Sequence, residues 1–215
     1  MNIERATGVV LRVRPLTETS LIVHWLTRDL GRLASVAKGA RRPKSPFRGQ
    51  LDLFYLAEFS FARSRRSELH TLREARLLES HSALRVDLSA LRQASYCAAL
   101  IEQVTEAETP IANVFELFRG LLGQLPKQKT QPQAVFAFEI KLLDELGLAP
   151  NLSESSLTPG SRQILEQLAG KDWAGVFQLR PSAAQTVEIR QFLHGFLIYH
   201  LDKIPRGRNK ALDSI

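Results

Sequence analysis

The sequence of 215 residues has one cysteine, Cys97. An intramolecular disulfide is therefore impossible, and a cysteine-ligated zinc cluster is excluded. Cys97 sits in the apolar stretch "ASYCAALI", where a small buried core residue is the expectation. Long hydrophobic runs are also missing: "YLAEF" is broken by Glu58, and "FLIYHL" ends after six residues. Neither approaches the roughly 20 apolar residues of a membrane span. The opening "MNIERATG" holds acid and base but no apolar signal core, so a cytoplasmic protein with no membrane role is expected. There is no internal repeat and no low-complexity tract.

Catalytic constellations are equally scarce. The five histidines are scattered, and the nearest pair, His194 and His200, is six apart, off the i,i+4 spacing of a helical zinc site. No GxSxG elbow occurs. "GARRPKS" has the Gly, Lys and Ser of a phosphate loop. It lacks the glycine before the lysine, and Pro43 removes an N–H that such a loop needs. The acidic pairs Asp144/Glu145 and Glu106/Glu108 read as solvated surface. A protein that is not an enzyme and takes no cofactor or metal is the expectation.

What the sequence does have is positive charge in one place. The net charge is +7, yet residues 1–80 hold 15 Lys+Arg against 8 Asp+Glu, while residues 81–215 balance at 14 and 14. A basic half beside a neutral half points to a polyanion-binding module joined to something else.

The two halves also differ in periodicity. Up to residue 80 the period is two. "ATGVVLRVRPL" (6–16) places Val9, Leu11 and Val13 on one side and Val10, Arg12 and Arg14 on the other. Strands follow at 20–27, 32–39, 51–63 and 69–79, with turns at 28–32 and 64–68. Five strands in this span predict a small closed antiparallel barrel of the OB type, with an SH3-like barrel as a close rival. From about residue 87 the period becomes 3.6. Helices are predicted over 87–106, 112–125, 133–147, 161–170 and 182–203. On the last, Ile189, Phe192, Leu193, Phe196 and Tyr199 are expected to face inward. The fold class is thus α+β: a barrel at 1–80, then an all-α domain at 81–215.

The densest charge is "VAKGARRPKS" and its extension to Arg48. Lys38, Arg41, Arg42, Lys44 and Arg48 crowd together with Phe47 and no acid. Such a loop is either simply solvated or meets an anion. Arg12 and Arg14 on the first strand, and Arg65 and Arg66 at the last hairpin, add cations to the same half. Basic loops on a small barrel form an electrostatic funnel for single-stranded nucleic acid. A second run, "KIPRGRNK", puts Arg206 and Arg208 near the end of the chain, as a frayed tail or an extension of that track.

These segments resemble the RecO family of DNA repair and recombination mediators. The likeness is carried by "ETSLI" (18–22), the "GR" hairpin (31–32) and "VAKGARRPKS" (36–45). "FEIKLLDELGLAPNL" (138–152) and "FLIYHLDKIPRGR" support it further on. The resemblance implies an OB-fold and a helical domain. It also implies a mediator of double-strand break and gap repair that binds single- and double-stranded DNA and anneals complementary strands. Such a mediator helps load the RecA recombinase, with RecR, onto strands coated by the single-strand-binding protein SSB, and it is nucleoid-associated. Lys38, Arg41, Arg42 and Lys44 would be the carried-over DNA contacts. Relatives often hold four cysteines where residues 150–181 have none, so that stretch is expected to be a degenerate zinc-ribbon region. The surplus apolar residues Phe115, Leu117 and Phe118, with Arg119 beside them, are either a pocket for the acidic, apolar-ended SSB tail or ordinary packing against two neighbours. The residues by themselves fit an RNA-binding OB module of translation or ribosome assembly equally well. A small hydrolase finds no support.

Overall fold

In the computed structural model, which describes residues 3–213, the first part of the chain closes into a barrel. Its strands are β1 (Ile3–Pro15), β2 (Leu21–Thr27), β3 (Gly31–Ala37), β4 (Leu56–Ala62) and β5 (Leu69–Glu79). The order around the barrel is β1-β2-β3-β5-β4, with β3 and β5 parallel and the other neighbours antiparallel. This is the OB-fold. β1 is long enough to pair with β4 through its first half and β2 through its second, and Gly8 and Val9 pair with both. A Cβ on Gly8 would stand 2.9 Å from the Leu26 carbonyl oxygen, so the crossing point takes no side chain.

The predicted alternation along β1 is shifted in phase. A bulge between Val10 and Arg12 puts one extra residue into the strand. Val9, Val10 and Leu11 are consequently all buried, and Val10 and Val13 point into the barrel core while Arg12 and Arg14 point outward. The core is built on Val10, Val23, Leu33, Phe61 and Leu72, with Trp25 stacked on Phe59 at 4.0 Å. The indole N–H of Trp25 donates to Ser35 Oγ at 2.9 Å, so the ring is buried without an orphaned donor.

The strand predicted over 51–63 is shorter than expected and begins at Leu56. Residues 51–55 instead turn beneath the β1 bulge. The Phe54 N–H donates to the Val10 carbonyl and the Val10 N–H to the Tyr55 carbonyl, both at 2.9 Å. Phe54 adopts a positive φ of 63° and is buried, an uncommon backbone for a bulky residue.

By its contacts the chain divides into two units. One is Met1–Ser82 with Thr105–Glu116; the other is Ala83–Val104 with Leu117–Ile215. The change of period predicts a single border at 80/81, whereas residues 105–116 cluster with the barrel. They form a strap along the start of β3. Ala107 bridges Arg32 in parallel, the Glu108 N–H donates to the Arg32 carbonyl at 2.7 Å, and Arg32 Nε donates to Thr105 Oγ1 at 2.7 Å. Glu108 accepts from Arg63, which also forks onto Glu4 at 2.7 and 2.9 Å. Buried His70 lies 2.9 Å from Glu108; its Nδ1 accepts from the Ser64 N–H, which leaves Nε2 to donate. Gly31, at φ +68°, is required here, since a Cβ would lie 1.9 Å from the Thr109 carbonyl oxygen.

The helices are α1 (Leu88–Val104), α2 (Ala112–Gln124), α3 (Pro132–Glu145), α4 (Pro159–Gly170), α5 (Trp173–Gln178), α6 (Ala183–Leu201) and α7 (Arg208–Leu212). Residues 133–140 of α3 are buried on every side, and the helix sits at the centre of its unit, touching α1, α4, α5, α6 and α7. It ends as the sequence predicts. Gly147 takes φ +71°, its N–H donates to the Asp144 carbonyl, and the Leu148 N–H donates to the Leu143 carbonyl at 2.8 Å, a Schellman closure. The stretch 150–181, expected as a degenerate zinc ribbon, holds a short 3₁₀ turn, α4 and α5 instead. Lys141 Nζ closes the end of α4 by donating to the carbonyls of Ala169 and Lys171, at 2.6 and 2.7 Å. α6 starts with a capping box between Ser182 and Gln185.

Candidate nucleic-acid interface

The basic loop is ordered by its own backbone and by the neighbouring β1–β2 loop. Successive turns run from the Ala40 N–H on Ala37 through Arg42 on Gly39 and Ser45 on Arg42 to Arg48 on Ser45. Gly39, at φ +69°, makes the first of them. The Arg41 N–H donates to the Thr19 carbonyl at 2.9 Å, and Arg41 Nη1 reaches the Thr17 carbonyl at 3.4 Å. Phe47, the one aromatic of the basic run, is buried in the barrel core and anchors the loop from below. It is therefore a structural residue and offers no face to a base.

With the loop fixed in this way, Lys38, Arg41, Arg42, Lys44 and Arg48 all stand exposed. Between the two loops runs a groove of about 430 Å³ lined by Leu16, Thr17, Thr19, Ser20, Val36, Lys38, Gly39 and Arg42. Glu18 is the single acid in residues 16–20 and 38–50. A groove of this size, floored by hydroxyls and backbone and edged by cations, suits a sugar-phosphate strand.

Arg12 and Arg14 continue the positive surface. Both are exposed on the outer face of β1, with Arg14 one residue from the end of the strand where the β1–β2 loop begins. Arg12 lies two residues back, about 7 Å along the strand. Across from Arg12 on β2 is His24. Burial, then Arg12, Arg14 and Arg32, lower its pKa to about 4, so the imidazole is neutral at physiological pH. Sequence reasoning missed His24, because its neighbours come from the two flanking strands, β1 and β3, and become visible only once the register is known.

The remaining predicted residues fall elsewhere. Arg65 and Arg66 are exposed on the β4–β5 hairpin. β5 joins β3 with Leu69 beside Ala34, so this hairpin precedes the paired stretch, while the basic loop starts after Ala37. Arg206 is exposed in the helical unit. Arg208 is a correction. It is 4% exposed, and its guanidinium forks onto Glu139 at 2.7 and 2.8 Å. Glu139 is itself fully buried and also accepts from Tyr96 OH at 2.6 Å. Burial opposes the charge on Arg208, but the carboxylate more than restores it, and Tyr96 is held un-ionised by burial beside Glu139. Arg208 braces α7 against α3 and has no surface to offer DNA.

The expected tail pocket is likewise corrected. Phe115 is 3% exposed and Phe118 is fully buried, packed edge-on against Phe138 at 6.1 Å. Leu117 is half-buried, and its carbonyl accepts from Trp173 Nε1 at 3.2 Å; only Arg119 is exposed. α2 has more apolar residues than one face can bury, and the structure covers them on more than one side.

Among the described residues there is no group of three or more His, Cys, Asp or Glu able to hold a metal, and no helix long and apolar enough to cross a membrane. Cys97 is buried, which pushes its thiol well above the ordinary range.

Comparison with known proteins matches the barrel and the first part of the helical half. Residues 1–81 match the family model described as Recombination protein O N terminal, and residues 85–158 match Recombination protein O C terminal. "DNA repair protein RecO" of a Cyanothece species is 33% identical over 188 residues, 85% of this chain and 61% of that protein. The protein of the same name from Bacillus subtilis is 33% identical over 150 residues, covering 69% and 58%. That from Rhodopirellula baltica is 32% identical over 143 residues, covering 66% and 53%. The aligned part is thus about three fifths of the length of these relatives.

Proposed function

We propose, for a chain that belongs to the RecO family, that its barrel binds the sugar-phosphate backbone of DNA along the track from Arg12 and Arg14 to Lys38, Arg41, Arg42, Lys44 and Arg48. The observation that carries this reading is the basic loop itself. Its five exposed cations are held on a structured loop beside a groove whose lining residues include Lys38 and Arg42 and no acid. A flexible solvated loop would not need the clamp from the Thr17 and Thr19 carbonyls. Contacts of this kind read charge and not sequence, so single and double strands are both ligands.

Annealing follows from the same chemistry. Two strands repel through their phosphates, and a cationic surface that neutralises both lowers that repulsion without any covalent step. The role is therefore that of a non-enzymatic mediator of double-strand break and gap repair. It acts with RecR on strands coated by SSB so that RecA can load. A contact with the SSB tail, as in the family, must use a surface other than Phe115 and Phe118. The setting is the cytoplasm, at the nucleoid.

The test is charge reversal on the loop. Arg41→Glu/Arg42→Glu should weaken binding to every DNA sequence alike. It should also flatten the dependence of log K on log salt by about 1.4 for a single strand, two phosphates at about 0.7 each. An unchanged slope removes the loop from the site. Binding RNA far more tightly than DNA would instead support an RNA-binding barrel, and a strict nucleoside triphosphate requirement for annealing would point to an enzyme.

A further inference from the structure

The last long helix carries a feature that the barrel reading does not use. On α6, Ile189, Leu193 and Leu197 are buried and face the bundle. Along one flank the helix instead presents a chain of rings. Phe192 and Phe196 have centroids 6.0 Å apart, Phe196 and His200 are 4.3 Å apart, and His200 meets Tyr199 edge-on at 5.0 Å. The phenylalanines are half-buried, His200 is exposed, and Tyr199 is 83% exposed. Tyr199 was expected to face inward. It lies more than 100° around the helix from Leu197 and Leu193, so a packed bundle leaves it in water. The chain then runs directly into exposed Lys203 and Arg206, with Asp202 the one acid between Tyr199 and Arg206.

We infer that this ladder is a second single-strand site, on which unpaired bases stack against Tyr199 and His200 while the adjoining phosphates meet Lys203 and Arg206. Planar rings beside cations are what a single strand requires, since every base has a face to stack and every linkage a charge to neutralise. A duplex would not use the rings, because its base faces are already covered by their neighbours. An acidic peptide with an apolar end would need a pocket to enclose that end, and the flank of a helix is convex. The proposal rests on the DNA-binding reading of the barrel and extends it. One unit grips a strand by its backbone, and the other holds bases exposed, which are the two things a strand needs before it can pair.

The experiment uses the full chain and fluorescence anisotropy with two oligonucleotides of equal length, oligo-dT and one with abasic sites throughout. Tyr199→Ala should weaken oligo-dT binding by about fivefold or more, the low end of one lost base stack. It should leave the abasic strand unaffected, and Tyr199→Phe should restore the parent affinity. Lys203→Ala/Arg206→Ala should weaken both strands. The effect of Tyr199→Ala should persist in the Arg41→Glu/Arg42→Glu background, where the barrel track is disabled. If the parent binds DNA and Tyr199→Ala binds oligo-dT just as well, this inference is overturned while the barrel reading stands. If the parent binds no DNA, both fall. If Tyr199→Ala changes only the sedimentation of the protein, the ladder is a contact with a second copy and the base-stacking site is wrong.

Discussion

Replacing Arg208 by methionine isolates the cost of the charge cluster in the helical unit. The substitution roughly conserves volume and removes two charge-assisted hydrogen bonds, the 2.7 and 2.8 Å contacts to Glu139. The carboxylate is then left fully buried with only the Tyr96 hydroxyl as donor. Two such bonds at about 1.5–3 kcal/mol each agree with the about 3–5 kcal/mol typical of breaking a buried pair. A loss of this size is a large fraction of the stability of most domains. The assay is urea unfolding followed by far-UV ellipticity, which the helices dominate; at a slope of about 1–3 kcal/mol per molar, the midpoint should fall by roughly 2 M. The triple variant Tyr96→Phe/Glu139→Leu/Arg208→Met buries no charge and no orphaned hydroxyl. It should recover most of that loss, because the desolvation of the pair goes with it. The salt dependence of DNA binding should be the same in Arg208→Met as in the parent. The reasoning fails if Arg208→Met costs under about 1 kcal/mol, if the triple variant is no better than the single, or if the salt slope flattens.

Two further outcomes concern the barrel, followed by the fluorescence of Trp25 in a Trp173→Phe background. His24 has a folded-state pKa of about 4, below its ordinary 6.5, so its contribution is present above pH 6.5 and is lost as pH falls from there toward 4. Allowing for solvent screening of a half-exposed ring, about 1 kcal/mol should disappear over that window; His24→Gln should flatten the profile, and an identical slope in the variant would contradict the assignment. Gly31→Ala forces a Cβ into the Thr109 carbonyl at a left-handed φ, and should cost the barrel more than the about 1–2 kcal/mol of the backbone conformation alone; a neutral substitution would mean that the strap does not lie against β3.

The barrel was legible because its signals are local. The β2 and β5 segments expected at 20–27 and 69–79 match those observed to within a residue, and the turn expected at 28–32 contains Gly31 at a positive φ. The clustering of charge between Lys38 and Arg48 was equally visible, since it needs only a count. What escaped was decided by partners distant in sequence. Arg208 reads as a tail cation until Glu139, 69 positions earlier, is found beside it. Phe115 and Phe118 read as either a pocket or ordinary packing, and only the neighbours that cover α2, distant in sequence, decide for packing. The β1 bulge reversed the phase of Val10 and Val13, and neither composition nor alternation marks a bulge. The clamp on the basic loop uses the carbonyls of Thr17 and Thr19, and a carbonyl has no residue signature at all. Tyr199 departs for the opposite reason: the helical stripe of apolar residues reads as one face, although it drifts too far around the helix for a single neighbour to cover it.

The strap has a consequence for how the molecule is made. The barrel's buried His70 and its Arg63 fork are completed by Glu108, which a ribosome adds only after every residue of α1 has been synthesised. The growing chain can close its five strands earlier, but it then carries an imidazole and a guanidinium still waiting for their shared carboxylate. The last ties of the first unit are thus made after the second unit has begun to emerge. Cutting the gene at the end of β5 would therefore yield a barrel deprived of its own acid, and a faithful excision has to carry α1 along to reach it.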